Sequence, residues 1–189
     1  MLVELSPPSA GPDELAELAT HLRLPTGFEA DPAAAAALTQ AMVAALALVE
    51  RHYGRALRQR GFRAAARVWD GGVALPMVPA KRLTALSIEA EDGTRTSCAA
   101  EDYRLDPLTT PPRVTLRPGR PAPVSPDGGM ILVDFDAGYG PAWGDAPADL
   151  RMAVLLTAAG FYEAGGDPRG NEPPLAAEAL LAPYRRVRP

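Results

Sequence analysis

The hydrophobic period of this chain changes twice along its length. Residues 12–60 and 145–183 carry apolar side chains three and four positions apart, which predicts helices, whereas residues 62–138 largely alternate apolar and polar side chains, which predicts short strands. The strands form one block and do not alternate with helices. This order predicts an α+β fold in a single domain of 189 residues: two N-terminal helices, an antiparallel sheet of short strands, two C-terminal helices, and an arginine-rich tail at residues 184–189.

Start signals place the two N-terminal helices. Pro12, followed by acidic residues, predicts a helix from Pro12 to about Leu22. Asp31 is expected to cap a second helix that starts at Pro32 and continues to about Gln59. The apolar face of this second helix comprises Leu38, Met42, Ala45, Leu46, Val49, Tyr53 and Leu57.

Strands and a third helix follow. Residues 62–68 and 83–88 are strand-like, and Met130–Ala137 is the clearest strand, with Ile131, Val133 and Phe135 on one face. The third helix is expected to use Asp145 as its cap and to stop at glycines 165 and 166, before a short fourth helix within residues 175–183.

Charge is segregated along the chain, although the net charge is only −4. Residues 1–50 hold seven acidic residues and one basic residue, a net charge of −6, whereas residues 51–69 hold six arginines and no acid. Arg51, Arg55 and Arg58 share the predicted outer face of the second helix. Such an arginine stripe is solvated, contacts phosphates, or meets acidic residues of a neighbouring copy. The acidic net charge favours the neighbouring copy over phosphates, and Glu14 and Glu17 are the candidate partners.

Residues that could carry catalysis are few. His21 and His52 stand outside any metal-ligand pattern, and the single cysteine, Cys98, allows neither an internal disulfide nor a zinc cluster. Asp134 and Asp136 share a strand face and could hold a metal, but acids that alternate with apolar residues usually form a solvated face. The sequence therefore predicts no catalytic residue, no metal site and no cofactor.

One apolar stretch, residues 33–49, invites a membrane assignment. It is short and alanine-rich, so no membrane span is expected. The first residues lack the basic and apolar regions of a signal peptide, and the single cysteine suits a reducing compartment. Location in the cytoplasm is therefore predicted.

Several stretches together resemble the head-tail connector, or adaptor, family of long-tailed bacteriophages and gene transfer agents, and most closely the connectors of alphaproteobacterial gene transfer agents. They are ELATHLRL (17–24) with ALVERHYGRAL (47–57), VWDGGVALPMVPAKRLTALSI (68–88), VDFDAGYGPAWGDAPADLRMAVLLTAAGFYEAGG (133–166), and LLAPYRRVR (180–188). The resemblance covers nearly the whole chain, except that the proline-rich loop 117–129 does not map onto the family pattern.

The resemblance implies a structural protein of the virion or gene transfer agent particle, located at the head-tail joint and assembled in the bacterial cytoplasm. Connectors of this type form a ring of twelve copies between the portal and a tail-side stopper or terminator ring, and DNA passes through the lumen without being read. The resemblance also implies that the two N-terminal and two C-terminal helices form a small bundle, that the inserted antiparallel sheet projects as a contact lobe, and that residues 184–189 are an extended C-terminal arm that reaches the portal. That role is carried onto Leu181, Tyr184, Arg185, Arg186 and Arg188.

Two other functional classes compete with a connector. A nucleic-acid-binding module would use the arginine stripe and the C-terminal arginines to contact phosphates, and its affinity would fall steeply with salt. A small enzyme would use Asp134 and Asp136 with a metal. A ring instead requires two different contact faces on each copy, which the acidic and arginine-rich segments supply. The connector is therefore the favoured interpretation.

Overall fold

The computed structural model describes residues 1–126, 128–165 and 173–185. The chain forms two compact units, each built from two segments. The sheet unit comprises Met1–Pro7 and Arg58–Pro141, and the helical unit comprises Pro8–Leu57 and Ala142–Pro189. The expected insertion of a sheet between helical segments is confirmed, although the length alone suggested one domain and the first seven residues belong to the sheet unit.

The helical unit contains four α-helices in its described part: α1 (Pro12–His21), α2 (Pro32–Tyr53), α3 (Ala148–Glu163) and α4 (Leu175–Leu181). α2 packs against α1 and α3, and α3 packs against α4. The predicted apolar face of α2 is buried, as the spacing of its side chains requires. The largest fully buried side chains of this unit are Leu18, Leu38, Met42, Tyr53, Leu57 and Leu150.

The predicted start signals of α1 and α2 are confirmed. Pro12 and Pro32 are the first residues of their helices. The Asp31 carboxylate accepts the N–H of Ala33 at 2.9 Å, which satisfies one of the free donors of the first turn. At α1, the Glu14 carboxylate accepts the N–H of Gly11 at 3.0 Å.

The end of α2 corrects the expected boundary. The helix stops at Tyr53 and not at Gln59, because Gly54 adopts a left-handed conformation with φ 60° and donates its N–H to the Glu50 carbonyl. The Glu50 carboxylate then accepts the N–H of Leu57 at 2.7 Å and holds the chain in a turn. Glycine directly after the last helical residue is a common helix stop signal, and Gly54 provides it here.

The start of α3 is a second correction. Its N-cap is Pro147, whereas Asp145 ends a short 3-10 turn and accepts the N–H of Ala142 at 2.8 Å. The predicted stop is close, since Gly165 with φ 57° lies two residues after the last helical residue. Residue 166 lies outside the described residues.

α2 is the one helix in the described residues that is long and apolar enough to cross a membrane by length and composition. Its side chains Leu38, Met42, Leu46 and Val49 are nevertheless buried among the helices of its own unit. A core helix of a soluble protein passes the same length and composition test.

The sheet unit contains eight strands among its described residues. They are β1 (Leu2–Glu4), β2 (Arg60–Ala66), β3 (Val73–Ala74), β4 (Ala80–Glu89), β5 (Arg95–Ser97), β6 (Tyr103–Asp106), β7 (Arg113–Leu116) and β8 (Met130–Ala137). Five of them form an antiparallel sheet in the order β1-β2-β8-β4-β5, and three form a second antiparallel sheet in the order β3-β7-β6. β8 has the predicted bounds and lies at the centre of the larger sheet.

The alternation of β8 explains the core of the sheet unit. Ile131, Val133 and Phe135 are fully buried, as predicted for one face of a strand. The ring centroids of Phe135 and Phe62, which face each other on β8 and β2, lie 5.8 Å apart. Leu132 on the other face is also buried, so the central strand is covered on both sides at that position.

A glycine turn follows β8 at the sequence AGYG (137–140). Gly138 has φ 132° and donates its N–H to the Pro79 carbonyl at 3.0 Å. Gln59 donates its N–H to the Gly140 carbonyl at 2.7 Å. A Cβ at residue 138 would overlap the backbone of Arg58 and lie 2.5 Å from Gln59 Cα, so this turn requires glycine.

Candidate assembly interface

The start of the predicted C-terminal arm is held inside the helical unit. Leu181, the last residue of α4, is fully buried, and a short 3-10 turn at Ala182–Tyr184 follows it. The Tyr184 hydroxyl donates to the Asp149 carboxylate, whose two oxygens lie 2.9 and 2.8 Å away. The Arg55 guanidinium lies over the Tyr184 ring, 4.7 Å from its centroid. The arm is therefore fixed as far as Tyr184.

The other predicted arm residues have different surroundings. Arg185 is exposed, and its guanidinium lies 4.0 Å from the Glu178 carboxylate, the outer limit of an ion pair. Arg186 and Arg188 lie outside the described residues. Among the described arm residues, Leu181 is buried in the core and Tyr184 packs against Arg55 and hydrogen-bonds to Asp149. Arg185 is exposed.

The predicted arginine stripe is not formed, because α2 ends before two of its three members. Arg51 lies on α2 and is exposed. Arg55 lies beyond the helix and stacks on Tyr184. Arg58 belongs to the sheet unit, where its Nε donates to the Pro141 carbonyl at 3.2 Å. Helical spacing therefore gave the wrong geometry for Arg55 and Arg58.

The two acids predicted to meet the stripe have partners within their own unit. Glu14 is only 2% exposed and caps α1. The Glu17 carboxylate accepts the indole N–H of Trp143 and lies 3.3 Å from Arg151. The sequence gave no signal for Trp143 and Arg151 as partners, since both are more than 120 residues away along the chain.

The carboxylates on the outer face of β8 are paired with arginines of the neighbouring strands. Asp134 makes a two-pronged hydrogen bond to Arg63 at 2.6 and 2.7 Å, and this bond raises the pKa of the Arg63 guanidinium. Asp136 accepts from Arg82 at 2.7 Å. In the described part of the chain, no three His, Cys, Asp or Glu side chains are grouped to hold a metal. The geometry gives the two aspartates a structural role in the sheet.

The Tyr103 hydroxyl lies near the backbone of Cys98 and Leu86 in the sheet unit. The Tyr103 hydroxyl accepts the N–H of Leu86 at 3.1 Å and lies 3.5 Å from the Cys98 carbonyl. Burial raises the pKa of the Cys98 thiol and the pKa of the Tyr103 hydroxyl. Both groups are therefore held in their protonated forms, and the raised pKa makes the thiol a poor nucleophile.

Stability in alkaline solution is expected to depend on Tyr103. Its pKa is higher in the folded state, so its stabilising contribution is complete below the unfolded pKa of about 10 and is lost as pH rises through the folded pKa. Urea unfolding between about pH 9 and 11 should give a falling free energy of unfolding, with a shallower fall in Tyr103→Phe. Equal slopes in the two proteins would contradict this assignment.

Removal of the Tyr184 hydroxyl is expected to destabilise the helical unit. Tyr184→Phe should lower the free energy of unfolding by about 1 kcal/mol, because the Asp149 carboxylate loses a donor at a half-buried position. The matched control is Tyr162→Phe, because the Tyr162 hydroxyl makes no hydrogen bond to a described residue. The comparison uses urea unfolding, and equal effects of the two substitutions would contradict the prediction.

Solved structures match the whole chain. The neck of an empty GTA particle, computed with C6 symmetry, matches with a TM-score of 0.82 and 38% identity over 100% of this chain and 96% of that chain. The virion of a native gene transfer agent (GTA) particle matches with a TM-score of 0.79 and 37% identity. The neck of a native GTA particle, computed with C12 symmetry, matches with a TM-score of 0.77 and 35% identity. Both cover 100% of this chain and 96% of the other chain. No protein-family model and no curated protein matches the sequence.

The shared fold and its full coverage define a class: this is a virion structural protein of the head-tail connector type, with an α+β architecture. The chain belongs to the head-tail connector family of gene transfer agents. Its location is the neck of the particle, and the rotational symmetry of the matching necks supports assembly as a ring.

Proposed function

We propose that this chain forms a ring of twelve copies that joins the portal to the tail-side stopper or terminator ring and surrounds the DNA channel. The observation that carries the proposal is the match, over the whole chain, to necks computed with C6 and C12 symmetry. A twelve-fold ring is compatible with both symmetries, because six-fold rotation is contained in twelve-fold rotation. In this role the protein is not an enzyme and uses no cofactor.

The C-terminal arm is assigned to the portal. Three arginines, Arg185, Arg186 and Arg188, follow the point at which Tyr184 is held. An arm that leaves the subunit from a fixed point loses less conformational freedom on docking than a chain that is mobile from α4 onward. Leu181 and Tyr184 then serve the arm indirectly, by fixing where it leaves the helical unit.

Contact between subunits is assigned partly to Arg51. It is exposed and forms no ion pair with a described residue, so its guanidinium is available to a neighbouring copy. Arg55, Arg58, Glu14 and Glu17 remain predicted interface residues, but each already has a contact within its own unit.

The DNA channel needs no base-reading site. The competing nucleic-acid-binding function uses the arginine stripe and the C-terminal arginines, and Arg51, Arg55 and Arg58 do not share a helix face. A connector should show little affinity for free duplex, whereas a phosphate-binding module should bind it with an affinity that falls steeply as salt rises.

The test is to mix the purified chain with the portal ring of the same particle and to image the product by electron microscopy. A second ring stacked on the portal, with twelve copies, is the expected result. Persistent monomers beside unchanged portals would contradict ring formation on the portal. Titration with free duplex at two salt concentrations, in the same preparation, separates the connector from the phosphate binder.

A further inference from the structure

Among the described residues, β1 has a ladder partner on one side alone, so its other backbone edge is open. It is the outer strand of the five-stranded sheet, and its ladder partner is β2. Ala65 donates its N–H to the Met1 carbonyl at 2.8 Å, and Leu5 donates its N–H to the Gly61 carbonyl at 3.1 Å. Because backbone direction alternates along a strand, the odd-numbered residues bond to β2. The N–H and C=O groups of Leu2 and Glu4 therefore point away from the sheet.

Apolar side chains accompany this open edge. Met1, Val3 and Leu5 share one face of the strand and are 78%, 39% and 46% exposed. Residues 1–5 contain no lysine, proline or bulge that would block strand addition, and the protections that β1 does have are its length of three residues and the charge of Glu4. The edge carries two charges of opposite sign: the Glu4 carboxylate, which lies 3.4 Å from Arg60 of the same sheet, and the Met1 ammonium, which donates to the Ala65 carbonyl at 2.9 Å. A row of exposed apolar side chains beside free backbone groups is typical of a surface that is covered in an assembly.

A second segment of the sheet unit has the complementary pattern. We call residues 117–126 the proline arm; its residues 121–126 have no regular secondary structure. Pro121 and Pro123 alternate with Ala122 and Val124. The two prolines lack N–H groups, so an extended chain here has donors on one edge alone. The N–H groups of Ala122 and Val124 have no partner among the described residues, and the Val124 side chain is 78% exposed.

Both ends of the proline arm are fixed by contacts with the rest of the sheet unit, so its middle residues form an exposed loop. The N–H of Arg117 donates to the Asp102 carbonyl at 2.8 Å, and the Arg120 guanidinium lies 3.1 Å from the Asp102 carboxylate. At the other end, the N–H of Gly129 donates to the Pro126 carbonyl at 2.8 Å. A Cβ on Gly129 would lie 2.6 Å from the Glu89 carbonyl oxygen, so that end sits tightly against β4.

We propose that the proline arm of one copy adds, through Ala122 and Val124, as an extended strand to the β1 edge of a second copy of this chain. Both patterns repeat every second residue: Leu2 and Glu4 on the edge, and Ala122 and Val124 on the arm. Strand addition satisfies the four free backbone groups of the edge and covers Val3 and Val124. Pro121 and Pro123 would then lie on the new outer edge, and because they have no N–H groups, a further strand could not pair there.

A second copy is the occupant because the two surfaces are complementary parts of the same chain: the edge presents the backbone groups of Leu2 and Glu4, and the arm presents the N–H groups of Ala122 and Val124. The arm and the edge are also different surfaces of the chain, and a contact between different surfaces runs head to tail and closes into a ring when the rotation allows. The inference rests on the proposed ring, which the C6 and C12 symmetries of the related necks support.

Proline substitutions test the ladder with matched controls. Glu4→Pro removes an outward N–H without touching the β1–β2 ladder, and Glu4→Ala removes the same side chain but keeps the N–H. Val124→Pro and Val124→Ala form the equivalent pair on the arm. Each proline variant should weaken association between copies at least about tenfold more than its alanine control, because ladder hydrogen bonds are lost. The readout is the concentration for half-maximal assembly, by light scattering. Equal effects of proline and alanine would overturn the proposal.

Cross-linking gives a second, direct readout. In a Cys98→Ser background, Glu4→Cys with Val124→Cys should form disulfides under mild oxidation and produce a ladder of multimers on a denaturing gel. The control pair, Val68→Cys with Val124→Cys, places the first cysteine at an exposed position outside β1 and should give few multimers. Monomers alone, or dimers without higher species, would overturn the head-to-tail contact.

The same variants separate this inference from the ring itself. If the unsubstituted chain forms a ring on the portal and Glu4→Pro forms it equally well, strand addition is wrong while the proposed function stands. If the unsubstituted chain forms no ring, the proposed function fails first. Circular dichroism and urea unfolding confirm that each proline variant is folded before assembly is measured.

Discussion

Gly138→Ala is expected to lower the free energy of unfolding of the sheet unit by about 3–5 kcal/mol. Two penalties add. The residue has φ 132°, a conformation that side chains with a Cβ rarely adopt, and the new Cβ would overlap the backbone of Arg58 and Gln59. These are backbone atoms at the point where the chain enters β2, so a side-chain rotation cannot relieve the clash.

The control for this substitution is Gly119→Ala. Gly119 also has a positive φ, 76°, but a Cβ there meets no atom within 4 Å, so only the conformational cost of about 1–2 kcal/mol is expected. Urea unfolding of both variants, followed by circular dichroism, gives the difference. Equal destabilisation would show that the close approach of Gly138 to Arg58 is not what makes the glycine necessary.

Deletion of residues 186–189 is expected to weaken binding to the portal at least about 100-fold, if the arm docks there as proposed. The deletion removes Arg186 and Arg188, and arginines are enriched among the residues that dominate interfaces. Folding should be unchanged, because the deletion leaves Leu181 in the core and Tyr184 on Asp149. The measurement is the dissociation constant for immobilised portal rings, together with the melting temperature.

A matched control distinguishes the arm from bulk charge. Arg67→Ser with Arg104→Ser removes two exposed arginines from the sheet unit and should leave portal affinity within about threefold, because screened surface charges contribute little. If the deletion and the control weaken binding equally, net charge and not the arm governs docking. Unchanged binding after the deletion would show that the portal contact lies elsewhere.

Elements with local signals could be predicted from the sequence. Asp31 and Pro32 start α2 because a carboxylate and a fixed φ act within two residues of the helix end. The alternation of β8 determined its length and its buried face. β1 was missed although Met1, Val3 and Leu5 do alternate, because three strand residues at the start of a chain give a weak pattern.

The candidate site was less predictable, because its contacts join distant residues. Glu17 is predicted to meet a neighbouring copy, and its carboxylate also accepts the indole N–H of Trp143, 126 residues away along the chain. Arg55 and Arg58 were placed on a helix face by their spacing, and a single left-handed glycine, Gly54, ended that helix before them. The predicted end of α2 was six residues too late, so Arg55 and Arg58 do not lie on the helix and the stripe does not form.

By itself the sequence determined that the four described helices form and that β8 is the clearest strand, since hydrophobic period, caps and turn residues act over a few neighbouring positions. It also carried motifs specific enough to indicate the connector family. Only the tertiary structure decided which charges remain available to a partner. Arg63 and Glu17 are satisfied by residues that folding brings near, whereas Arg51 and the Val3 and Val124 side chains remain exposed. An ion pair or hydrogen bond between residues far apart along the chain depends on their distance in the folded structure, which local sequence patterns do not give.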